Sequence, residues 1–109
     1  MARAKRGERA ARREEWSLLV GRAFRCGDGL IRWITYLSTL DNFGLLWLDE
    51  RTNTWFSGGT VKASKWEGGE EVRAPQPGET YKQADPMGRV GERTVQQRET
   101  DGQDEGGEG

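Results

Sequence analysis

Six basic side chains stand within the first thirteen positions: Arg3, Lys5, Arg6, Arg9, Arg12 and Arg13. A guanidinium can donate two parallel hydrogen bonds to one phosphate or carboxylate, so such a run suits polyanion binding. Alanine and arginine are good helix formers, and Glu8 supports Arg12 across one turn, so this arm is expected to become helical once neutralised. Catalytic chemistry finds no comparable support. The chain has no histidine, which removes the imidazole base, the Ser-His-Asp and Cys-His arrangements and the histidine metal ligand. Its one cysteine, Cys26, forms no internal disulfide or cysteine zinc site and reads as a small buried or half-buried apolar residue. Cys26-Gly27-Asp28-Gly29 lacks both the spacing and the preceding strand of a phosphate loop. The adjacent acids Glu14 and Glu15, like Asp49 and Glu50, point to different sides of a helix or strand, so neither pair faces one substrate. These absences predict a non-enzymatic chain with no cofactor and no small-molecule substrate.

The second set of candidate residues is apolar. Trp16, Leu19, Val20, Ala23, Phe24, Leu30, Ile31, Ile34 and Leu37 follow i, i+3, i+4, i+7 spacing, the signature of one helix face. The triplet Gly27-Asp28-Gly29 interrupts the run with turn residues. Two helices over about 8–26 and 30–40, or one bent helix, are the expected elements. Such a face either packs as core or lies against a membrane surface or a partner's groove.

Further on, Phe43, Leu45 and Trp47 alternate with Leu46 and Leu48, the pattern of a strand buried on both sides. Asp49 to Asn53 is a polar turn, Thr54 to Ser57 a second short strand, Gly58-Gly59 a hairpin signal, and Thr60 to Trp66 a third strand. Trp47 and Trp55 are expected core anchors, and Trp66, at the edge of the tail, is expected either to close the sheet or to present a docking handle, with packing the preferred reading. The predicted architecture is α+β: a small basic helical segment packed on a three-stranded antiparallel meander. Residues 67–109, with five basic and eleven acidic residues and rich in Gly, Glu, Gln and Pro, are expected to be a disordered acidic tail. The chain thus divides into a basic flexible arm (1–13), a small folded helix-plus-meander region (14–66) and the disordered acidic tail (67–109).

Charge follows this division. Residues 1–40 carry nine basic and four acidic groups, a net of +5, and residues 41–109 carry eight basic and 14 acidic, a net of −6. A basic head can attract polyanions, and an acidic tail can compete for that head. With 109 residues, 16 of them glycine, and 33% hydrophobic residues, there is little material for a large core. The most apolar region, residues 33–48, is broken at its centre by Asp41 and Asn42 and falls short of the ~18–20 residues a membrane span needs. No signal-peptide pattern is read either. The location expected is intracellular, cytoplasmic or nuclear, with peripheral membrane association open to it.

Three functions are expected in order. First is an accessory or regulatory interaction protein whose basic amphipathic head binds an anionic membrane surface or a protein partner's groove, tuned by the acidic tail. A viral origin is suggested by composition: Gly, Arg, Glu and Trp, all writable with G- and A-rich codons, supply 46 of the 109 residues, as an overlapping reading frame would. Second is a virion or phage structural component. Third is nucleic-acid binding through the arginine-rich head. Oligomeric state is left open by the sequence.

Overall fold

Residues 31–37, IRWITYL, are mostly β-branched or aromatic, the types that suit a pleated surface and lose rotamer freedom in a helix. They form a strand, and their neighbours do likewise. The computed structural model describes residues 2–96. It contains one helix, α1 (Ala2–Ser17), and seven strands: β1 (Ala23–Arg25), β2 (Ile31–Leu37), β3 (Asn42–Asp49), β4 (Thr54–Lys62), β5 (Glu71–Val72), β6 (Thr80–Ala84) and β7 (Val90–Thr94). A 3-10 turn, Ala63–Lys65, follows β4.

All seven strands belong to one sheet, in the order β5-β1-β2-β3-β4-β6-β7. Every pairing is antiparallel except β4 with β6, which run parallel. The parallel pair has a topological cause. After β4 the chain crosses to the far edge, lays β5 against β1, and returns through residues 73–79 to start β6 beside β4. Trp33 of β2 meets Tyr81 of β6 edge-to-face at 4.9 Å and Trp55 of β4 at 5.2 Å. Strands so far apart in the sheet order touch only if the sheet curls around that face, and the result is a half-barrel.

Each face has its own core. Inside the curl, Ala23, Ile31, Trp33, Leu46, Trp55 and Ala74 are buried together, with Val72, Tyr81 and Val95 packed against them. On the outer face Ile34, Phe43, Leu45 and Ala63 form a second cluster, covered by Trp16, Leu19 and Val20 at the end of α1 and by Trp66. Trp66 packs edge-on against Phe24 and Phe43, with centroids 5.9 and 6.1 Å away.

This architecture overturns the helix-plus-meander expectation. Only Trp16 of the apolar set lies in a helix. Leu19 and Val20 sit in the turn after α1, Phe24 is in β1, Leu30 precedes β2, and Ile31, Ile34 and Leu37 are in β2. The helical spacing was misleading because β2 is buried on both faces. It therefore shows apolar residues at consecutive positions, which satisfy i, i+3 and i+4 by density alone. Gly27-Asp28-Gly29 is a turn joining β1 and β2; Gly29 takes a φ of 87°, and Asp28 accepts the Leu30 N–H at 3.1 Å. Gly58 and Gly59 lie inside the nine-residue β4, so no hairpin forms there. The Asp49 to Asn53 region does turn the chain, from β3 into β4.

The acidic stretch differs most. Residues 71–94 supply three strands, anchored by Val72, Ala74, Tyr81 and Ala84 and by the Arg73–Glu79 ion pair at 2.7 Å. Few apolar residues suffice because a preformed sheet offers each of them a partner. The part of the expected disordered tail over 97–109 lies outside the described residues.

Candidate anion-binding notch

The basic segment is helical along its length, as alanine, arginine and glutamate favour. At 3.6 residues per turn, positions 5, 6, 9, 12, 13 and 16 fall on about one third of the helix circumference. One face of α1 therefore carries most of its basic positions and ends in Trp16. Arg3, Lys5 and Arg6 lie in the first turns of the helix, and their side chains fall outside the described part.

Two of these arginines fasten the helix to the sheet. Arg9 Nε donates to Asp41 Oδ2 at 3.2 Å, and Arg13 Nη1 donates to Asp41 Oδ1. Arg13 also donates to the Ser38 carbonyl at 3.0 Å. Asp41 is held ready for this role. It occupies a left-handed conformation, φ 64°, in the turn between β2 and β3, and its N–H bonds the Ser38 carbonyl at 3.0 Å. The Ser38 hydroxyl accepts the Leu40 and Asn42 N–H groups at 3.2 and 3.1 Å. The carbonyl of Asp41 then accepts the Ala63 N–H at 2.8 Å, tying the end of β4 to the same turn. One residue thus sets the position of α1 relative to residues 62–64.

Between them opens a notch of about 440 Å³, lined by Glu8, Arg9, Arg12 and Trp16 from α1, Leu40 and Asp41 from the turn, Lys62 at the end of β4 and Ser64 of the 3-10 turn. Partial burial pushes the Asp41 carboxyl up, but the hydrogen bonds and charges of Arg13 and Arg9 outweigh it and hold the group below its ordinary value. Asp41 is therefore ionised at neutral pH and offsets one of its two arginines. Arg12 and Lys62 make no ion pair among the described residues. The surplus is positive: Arg9, Arg12, Arg13 and Lys62 against Glu8 and Asp41.

No family model, curated protein or solved structure matches the chain. Arg12 and Lys62 can grip a phosphate, and the Ser64 hydroxyl can donate to it. Among the described residues no cluster of acids and cysteine is placed to hold a metal ion.

Of the expected basic residues, the fold brings Arg9 and Arg12 to the notch and turns Arg13 into an anchor. The expected apolar face is dispersed: Trp16, Leu19, Val20, Phe24, Ile34 and Leu37 serve the outer core, Ile31 the inner one, and Leu30 is half-buried at a strand entry. Lys62, Ser64 and Asp41 escaped sequence reasoning. For Asp41 a signal existed, an acid at the centre of the most apolar region. Lys62 and Ser64 carried none, because only pairing of β3 with β4 brings them to α1.

Proposed function

We propose that this chain is a non-enzymatic binding protein whose notch receives the phosphodiester backbone of a nucleic acid. The supporting observation is the convergence of Arg12 and Lys62, neither ion-paired among the described residues, on a notch whose helical wall is fixed through Asp41. The membrane-surface reading relied on Trp16, Leu19 and Val20 being available, and those side chains pack on the outer core. Among the described residues no helix is long and apolar enough to cross a membrane.

The test is fluorescence anisotropy of the full-length protein with labelled single-stranded RNA and DNA across a salt series. Affinity should fall log-linearly with salt, and Arg12→Ala or Lys62→Ala should each reduce the slope by about one. Equal affinity at low and high salt, or variants indistinguishable from the parent, would overturn the reading. Binding to phosphatidylserine vesicles with none to nucleic acid would transfer the notch to a membrane role.

A second reading, a component of a larger assembly, is favoured by the open sheet edge. All five residues of β7 are exposed; Val90, its first residue, is 54% accessible, and Met87 in the turn before it is 81% accessible. Oligomers that survive high salt in sedimentation would support it, since apolar association is not screened as charge is.

A further inference from the structure

Among the described residues, the outer face of the sheet is covered over part of its length. Trp16, Leu19, Val20 and Trp66 close the half that holds Ile34, Phe43 and Leu45. Strand alternation carries the same face on to Trp47, two residues beyond Leu45, and to its partners in register, Arg32 of β2 and Phe56 of β4. Trp47 and Phe56 are half-buried and pack into neither core cluster. Trp47, expected as a core anchor, is therefore not one. The two rings stack on each other instead, with centroids 4.9 Å apart and planes at 18°.

Stacking engages one face of each ring. On its other side Trp47 has Arg32, whose fork is held by Asp28 at 2.8 and 3.0 Å. Phe56 has β6 on its other side. The parallel register of Thr54 with Lys82 and Trp55 with Gln83 continues to Phe56 beside Ala84, and Ala84 pairs with Val90 of β7. Adjacent strands lie about 4.8 Å apart, so Phe56 and Val90 stand about 10 Å apart across a small alanine, room for one flat ring. Lys82 lies on the same face, exposed and without an ion pair among the described residues. The acids closest in register, Asp28, Asp49 and Glu50, are each paired with an arginine. Strand β4 joins this surface to the notch. Lys62 lies six residues beyond Phe56, about 20 Å along the strand, and Gly58 and Gly59 between them bear no side chain. Gly58 makes room for Leu45, whose carbonyl oxygen a Cβ would meet at 3.2 Å, whereas a Cβ on Gly59 would touch nothing.

We propose that the outer face at Trp47 and Phe56 is a base-stacking platform, and that the nucleic acid received by the notch is single-stranded. One base lies on the free face of Phe56, and its strand runs along β4 to Arg12 and Lys62. A positive groove that tracks the backbone, joined to rings on which bases stack, is how single strands are held with little regard to sequence. A duplex keeps its bases stacked on one another and offers no free ring to Phe56. This inference rests on the nucleic-acid reading of the notch and adds the class of nucleic acid.

Fluorescence anisotropy of the full-length protein tests this with four labelled probes: dodecathymidylate, dodecauridylate, an abasic strand of the same charge, and a duplex of the same length. The two base-bearing single strands should bind about fivefold or more tighter than the abasic strand and the duplex. Phe56→Ala should bring thymidylate down to the abasic level and keep the parent's salt slope, whereas Arg12→Ala should lower the slope for every probe. Irradiated strands carrying 5-bromouracil should cross-link to Trp47 or Phe56, mapped by mass spectrometry. Equal affinity for base-bearing and abasic strands, duplex binding as tight as single-strand binding, or cross-links confined to other residues would each overturn the platform and leave the notch standing. Absence of binding to all four probes would overturn the notch and the platform with it. The probe comparison and the cross-link use the parent protein and stand even if Phe56→Ala fails to fold.

Discussion

The carboxylate of Asp41, in the turn between β2 and β3, accepts the guanidinium of Arg13 from the last turns of α1, 28 residues earlier in the chain. Arg9 shares the same carboxylate. The pair explains how a helix of mostly alanine, arginine and glutamate, with little apolar surface of its own, is held against a sheet. Trp16 supplies the apolar contact and Asp41 the electrostatic one.

Asp41→Asn should release α1 while preserving the turn, because asparagine tolerates the left-handed conformation at φ 64°. Trypsin cleavage after Arg9, Arg12 and Arg13 should accelerate, with little change in the sheet's amide protection. Asp41→Ala should do more harm, adding backbone strain at the turn. Cleavage rates equal to those of the parent would show that Trp16 alone holds the helix.

Acid should loosen the turns at both ends of β2. The fork of Arg32 and the Leu30 N–H hold the Asp28 carboxyl at about 2, below its ordinary value of 3.8. A lowered value means that the folded state favours the ionised form. The resulting stability is complete above 3.8 and is lost as pH falls from 3.8 to about 2. Asp41, also lowered, acts in the same direction. Urea midpoints measured from pH 5 downward should decline, and Asp28→Asn should decline less steeply. The effect is modest and salt-sensitive, since Asp28 is about half exposed.

Gly44 faces Tyr36 across the β2–β3 ladder, and the tyrosine ring lies over it: a Cβ there would meet Cε2 at 2.0 Å. Gly44→Ala should destabilise the fold by about 1–3 kcal/mol, the usual range for overpacking. In a Tyr36→Ala background the same change should cost much less. A double-mutant cycle by chemical denaturation reads the coupling, and additive effects would show that the ring does not cover the glycine.

Removal of residues 97–109, which carry five acids and one arginine, should strengthen nucleic-acid binding at low salt and leave it unchanged at high salt. Unchanged or weaker binding at low salt would remove the competitive role assigned to the acidic end. The truncation must stop at 97, because residues 71–94 supply β5, β6 and β7.

What the sequence by itself determined was chemical. The absence of histidine, the single cysteine, the basic first segment and the glycine turn at 27–29 are local facts, and their consequences do not depend on the fold. The short apolar run over 43–48 marked β3, since a strand buried on both faces is written as apolar residues at nearly every position. The tertiary structure decided the rest. Residues 19–37 carry a pattern dense enough to satisfy a helical period, and they became turn and strand because a central strand buries both faces. Residues 71–94 carry too few apolar side chains to order themselves, yet pairing with β1 and β4 gives their backbones partners and their few apolar groups a core. The meeting of Arg12 with Lys62, and the enclosure of Trp33 by Trp55 and Tyr81, join residues separated by more of the chain than any local pattern spans. Only the curl of the sheet and the anchoring of α1 at Asp41 bring them together.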